Sequence, residues 1–68
     1  MKITNDAIID AIERLTKQHG VPPTYREIAD ELSVQVSLIH RRLHQLREAG
    51  VVTFRDQLSR TVQVLERS

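Results

Sequence analysis

Residues 24–50 read TYREIADELSVQVSLIHRRLHQLREAG, and the punctuation inside this stretch decides the architecture of the chain. Thr24 and Glu27 have the spacing of a capping box, in which the threonine hydroxyl accepts from the amide at the third helical position and the glutamate accepts from the threonine amide. A helix therefore begins at about Tyr25. Ile28, Ala29 and Leu32 recur at helical spacing, the apolar rhythm breaks at Ser33, and it resumes with Val36, Ile39, Leu43 and Leu46. This reads as a short helix, a turn of about three residues and a longer helix. Small Ala29, one turn before the break, admits the close approach of a second helix, and Ile39 is placed to plug the angle between them. The pattern predicts a helix-turn-helix.

On a helical wheel, Val36, Leu38, Ile39, Leu43, Leu46 and Ala49 fall on one arc of the second helix, and Ser37, His40, Arg41, His44, Gln45 and Glu48 on the other. A solvated face normally mixes carboxylates with amines, yet no acidic residue occurs between Ser33 and Arg47. Such a face suits contact with phosphates.

Gly50 ends this helix, and the period then changes from helical to alternating. Val52 and Phe54 alternate with Thr53 and Arg55, and Val62 and Val64 with Thr61 and Gln63, which predicts two short strands around RDQLSR. The hairpin forms a wing whose tip carries Arg55, Gln57, Ser59 and Arg60 with one acid, Asp56; a polar tip that merely faces water is the plainer reading. Leu65 is expected to close the core, and residues 66–68 to fray.

Upstream, Thr4 is a candidate cap for a first helix, with Ile3 placed to staple against Ile8. Ile8, Ala11, Ile12 and Leu15 make its buried stripe, and Asp10/Arg14 and Glu13/Lys17 are i,i+4 pairs on its wet face. His19 suits the last carbonyls of this scaffold helix, and Gly20 supplies the left-handed residue that closes it. Val21-Pro22-Pro23 is a stiff extended connector rather than a polyproline ligand, with Val21 expected to reach into the core. The expected fold is thus mainly α with a small β-hairpin, a winged helix-turn-helix of three helices and a two-stranded wing forming one domain over residues 1–68.

Length and composition narrow the function. A chain of 68 residues buries only about 60% of its unfolded surface and has no room for a second, catalytic domain. No cysteine is present, so neither a disulfide framework nor a thiolate metal site is available. Charges interrupt the apolar residues of the N-terminus and no run approaches a membrane span, so a cytoplasmic protein is expected. Net charge is only +1, but it is unevenly shared. Residues 1–32 hold 4 basic against 6 acidic side chains, a net of −2, and residues 33–68 hold 6 against 3, a net of +3. Every cation of the positive half is arginine, the side chain that best forks onto phosphate or guanine. Nothing resembles an activated nucleophile, a phosphate-binding glycine loop or a catalytic carboxylate pair.

With GVPPTYREIADEL, LIHRRLHQLREAGVV and the closing SRTVQVL in view, the chain resembles the DNA-binding domain of the LexA repressor family over nearly its whole length. The resemblance implies a winged helix that reads DNA as a pair of domains, with helix 36–48 in the major groove and the wing near the backbone. Some features depart from the family pattern. The turn before the recognition helix looks one residue shorter than usual, with Ser33 where glycine is expected. The base-reading positions do not match, so no operator sequence carries over. The sequence also stops where the family's serine-lysine peptidase domain would begin, so self-cleavage and the dimerisation carried by that domain are not expected of it.

By position in the motif, Gln35, Ser37, His40, Arg41 and His44 are the candidates to reach base edges or phosphates, with Arg55 and Arg60 on the wing (residues 55–60) as backbone contacts. Arg42 lies near the apolar arc, where packing or a phosphate contact outweighs base reading. His40 and His44 have the i,i+4 spacing of two zinc ligands, but no cysteine or nearby carboxylate completes a set, so neither metal nor cofactor is expected. A histidine near phosphate would instead gain a proton on binding. The expected function is sequence-specific binding of double-stranded DNA by a small repressor, working as a homodimer or cooperative pair on two half-sites. The rival is a winged-helix module that docks on a regulatory protein or polymerase subunit; salt-sensitive binding separates the two.

Overall fold

A computed structural model describes residues 3–55, 58 and 60–65. Three helices, α1 (Asn5–His19), α2 (Tyr25–Leu32) and α3 (Val36–Glu48), precede two strands, β1 (Val52–Thr53) and β2 (Gln63–Val64). The expected winged helix-turn-helix is the fold observed.

Both ends of α1 and of α2 are closed by residues that the sequence marks. Thr4 Oγ1 accepts from the Ala7 amide at 3.1 Å to start α1, and Gly20 (φ 75°) ends it by donating to the Thr16 carbonyl at 2.8 Å. At α2 the capping box is complete, with the Glu27 amide donating to Thr24 Oγ1 at 3.1 Å and the Thr24 amide donating to Glu27 Oε1 at 2.8 Å.

The turn between α2 and α3 is a Schellman closure. Ser33 takes the left-handed conformation (φ 58°, ψ 43°) and donates to the Asp30 carbonyl at 3.3 Å, and Val34 donates to the Ala29 carbonyl at 3.0 Å. Gly50 (φ 79°) repeats the motif at the end of α3, its amide on the Arg47 carbonyl at 3.0 Å and that of Val51 on the Leu46 carbonyl at 3.0 Å. Chain direction is thus set twice by the same local device. The first time a serine holds a position that favours glycine.

The three helices enclose one core of Ile8, Ala11, Ile12, Leu15, Ile28, Ala29, Ile39, Leu43 and Leu46, and the wing closes it with Val52, Phe54 and Val62. Ile39 is fully buried, as its place in the angle of the motif requires. Ile9 is also fully buried, although it falls outside the expected stripe of α1. The strands pair antiparallel through Val52↔Val64 and Thr53↔Gln63 only, shorter than the alternation suggests.

Two expectations are corrected. Val21 is 44% exposed, and Pro23 is the residue of the connector that is fully buried. Leu65 is 60% exposed; its amide extends the wing by donating to the Val51 carbonyl at 2.8 Å while its side chain faces water.

Candidate nucleic-acid interface

The solvent face of α3 begins with Gln35. This N-cap residue has extended backbone (φ −76°, ψ 147°), and its side chain makes no capping bond. The first turn of α3 therefore leaves amides and the positive end of the helix dipole without a carboxylate beside them. Gln35, Ser37, His40 and Arg41 are all exposed on this face.

The two arginines that follow His40 have different roles. Arg41 points to solvent, whereas Arg42 is half-buried and donates through Nε at 3.2 Å and Nη2 at 2.6 Å to Asn5 Oδ1, tying α3 to the first turn of α1. Of the packing and phosphate roles expected for Arg42, this contact fits the first, a tie within the fold.

Behind the exposed face lies a cluster of aromatic and cationic groups. The Arg47 guanidinium carbon sits 4.2 Å from the centroid of the Phe54 ring, and its Nη1 donates to the Phe54 carbonyl at 3.3 Å. Its Nη2 reaches His44 Nδ1 at 3.3 Å, and His44 Nε2 in turn lies 3.2 Å from His40 Nε2. Tyr25 meets the edges of His40 and Phe54 at centroid distances of 5.3 and 5.7 Å, and His44 meets Phe54 at 5.1 Å. The exposed imidazole of His40 is therefore backed by α2, by the last turn of α3 and by the start of the wing. Sequence reasoning did not single out Arg47, Tyr25 or Phe54 for this support. The only local signal was Arg47 three residues after His44 on one face of a helix.

On the wing, Arg55 is exposed and its amide donates to Thr61 Oγ1 at 2.8 Å. Arg60 lies beside α2, with Nη1 and Nη2 on Glu27 Oε1 and Oε2 at 3.0 and 3.1 Å. The Glu27 carboxyl is held below its usual value of 4.5, first by the Thr24 amide and then by the Arg60 guanidinium. Asp56, Gln57 and Ser59, expected at the wing tip, lie outside the described residues. Among the described residues no group of three or more His, Cys, Asp or Glu could hold a metal ion, and no helix is long and apolar enough to cross a membrane.

Three helices with a capped turn between the second and third, and a hairpin packed at the end of the third, define a winged helix-turn-helix protein. Residues 4–61 match the LexA DNA binding domain family, and the chain belongs to that family. It is 33% identical over 64 residues to the LexA repressor of Clostridium tetani, an alignment covering 93% of this chain and 32% of that protein. It is 25% identical over 68 residues to the LexA repressor of Magnetococcus marinus, covering 100% of this chain and 29% of that protein. The chain thus spans about a third of the length of these curated relatives.

Proposed function

We propose that this chain is a sequence-specific reader of double-stranded DNA and acts as a transcriptional repressor. The observation that carries the reading is the face of α3. Gln35, Ser37, His40 and Arg41 are exposed together at a helix N-terminus whose first turn holds no acid, the arrangement that favours phosphate and base edges. Membership of a DNA-binding domain family and likeness to two LexA repressors support it.

In this reading α3 lies in the major groove. Arg41 and Gln35 have the donors and acceptors for guanine and adenine, and Ser37 takes a phosphate with the help of the helix dipole. His44 stands behind His40 and sets its orientation. The wing follows the DNA backbone, with Arg55 as its outward cation and Arg60 at its base. One such module makes few phosphate contacts, so two chains on half-sites about one helical turn apart are the working form.

The test is fluorescence anisotropy of a labelled random-sequence duplex, titrated with the protein from low to physiological salt. The logarithm of the affinity should fall linearly with the logarithm of salt, at a slope equivalent to a few phosphates per domain. An absence of binding even at low salt would sink the DNA reading and favour docking on a protein.

A further inference from the structure

The return arm of the wing starts at Arg60, a non-glycine residue in the left-handed region (φ 59°). A β-carbon is crowded there, and such a backbone persists where surrounding contacts hold it. Those contacts reach across the fold. The guanidinium of Arg60 meets the Glu27 carboxylate fork on fork at 3.0 and 3.1 Å, and its Nη1 also donates to the Pro22 carbonyl at 3.3 Å. Glu27 Oε1 at the same time accepts from the Thr24 amide at 2.8 Å. One carboxylate therefore closes the start of α2 and grips a residue 33 positions further along the chain.

Arg55, Leu58 and Thr61 of the loop are fastened to one another. Thr61 Oγ1 accepts from the Arg55 amide at 2.8 Å and donates to the Leu58 carbonyl at 3.2 Å. The ladder between β1 and β2 has only two residue pairs, which is short for a hairpin that must hold its own direction. Among the described residues of the loop, Arg60 is one that ties it to the helix-turn-helix by a charged side-chain contact.

We propose that the Glu27–Arg60 pair is a latch that positions the wing on DNA. Arg60 acts through Glu27 to hold the loop bearing Arg55 beside α3, and is not itself a phosphate ligand. This rests on the DNA-binding reading above. The competing picture is an exposed ion pair of little consequence, with Arg60 44% and Glu27 33% exposed, that opens so that Arg60 can meet a phosphate. The two pictures give opposite signs for Glu27→Gln. Glutamine keeps an acceptor for the Thr24 amide, so the capping box survives, but the charge that holds Arg60 is lost. A latch then loosens and DNA binding weakens; a phosphate ligand is set free and binding tightens.

Three measurements decide. Anisotropy on a random-sequence duplex at low salt compares Glu27→Gln with Glu31→Gln, which removes the same charge from the same helix and likewise opens an ion pair, that to Arg14. It also compares Arg60→Lys with the wild type, whose charge it keeps. Glu27→Gln should bind severalfold more weakly than Glu31→Gln, and Arg60→Lys severalfold more weakly than the wild type, since lysine cannot fork. In an Arg55→Ala background, adding Arg60→Ala should leave the salt slope unchanged. Amide exchange of Arg55 and Leu65, whose amides donate to Thr61 Oγ1 and the Val51 carbonyl, should quicken in the DNA-free protein in Glu27→Gln. Tighter binding by Glu27→Gln than by Glu31→Gln overturns the latch. So does a salt slope shallower by about 0.9 when Arg60→Ala is added to Arg55→Ala, the signature of one further lost phosphate contact, or wing exchange unchanged in Glu27→Gln. A wild-type chain that does not bind the duplex overturns the DNA reading instead, and the exchange experiment tells that failure apart because it uses no DNA.

Discussion

His44 Nε2 lies 3.2 Å from His40 Nε2, one turn earlier on α3, and His44 Nδ1 lies 3.3 Å from Arg47 Nη2. This chain of three side chains has a direction. A guanidinium can only donate, so His44 Nδ1 accepts; the single proton of a neutral ring is then on Nε2, which donates to His40 Nε2. His40 is left with its proton on Nδ1.

Imidazole nitrogen NMR on the free protein should therefore find His44 as the Nε2–H tautomer and His40 as the Nδ1–H tautomer. Arg47→Ala should release that preference in both rings. A His44 ring protonated at Nδ1 in the wild type would contradict the assigned direction.

Glu27 carries a pH dependence of stability. Its folded value lies below the ordinary 4.5, mainly through the Thr24 amide and then through Arg60. A depressed carboxyl contributes stability that is present above its unfolded value and is lost as pH falls through the folded one. Urea denaturation from neutral pH to below 4.5 should therefore show a shallower acid decline in Glu27→Gln than in the wild type. Equal declines in both would mean that the carboxyl is not held in its charged form by folding.

Ser33 sits at φ 58°, where a β-carbon is unfavourable. Ser33→Gly should stabilise the domain by about 1 kcal/mol, raising Tm by roughly 4–8 °C for a chain of this size. DNA affinity should not change, because the substitution lies in the turn and not on the face of α3. A Tm that stays level or falls would mean that the freedom glycine gains in the unfolded chain outweighs the strain removed.

Arg47 joins α3 to the wing through the ring and carbonyl of Phe54. Its replacement by alanine removes a cation–π contact and a charged hydrogen bond, together on the order of 1–3 kcal/mol. Arg47→Lys should recover only part of this, since an ammonium cannot stack and fork at once. Thermal melts of the two variants check the ordering, and equal stability of Arg47→Ala and wild type would remove the joint.

The sequence by itself determined the helices, their ends and the turn between α2 and α3. Capping boxes, left-handed closures and apolar periods act within about one helical turn, so Thr24, Glu27, Gly20, Ser33 and Ile39 could each be placed from their neighbours. The exposed candidates on α3 followed from the same wheel. Tertiary structure decided which side chains meet across the fold. Arg60 finds Glu27 over a separation of 33 residues, and Arg42 finds Asn5 over 37, and no local pattern announces either pair. The same holds for the connector, where Pro23 is buried and Val21 is exposed. Periodicity states which face of an element is apolar; which long polar side chain closes on which partner depends on how the elements come together.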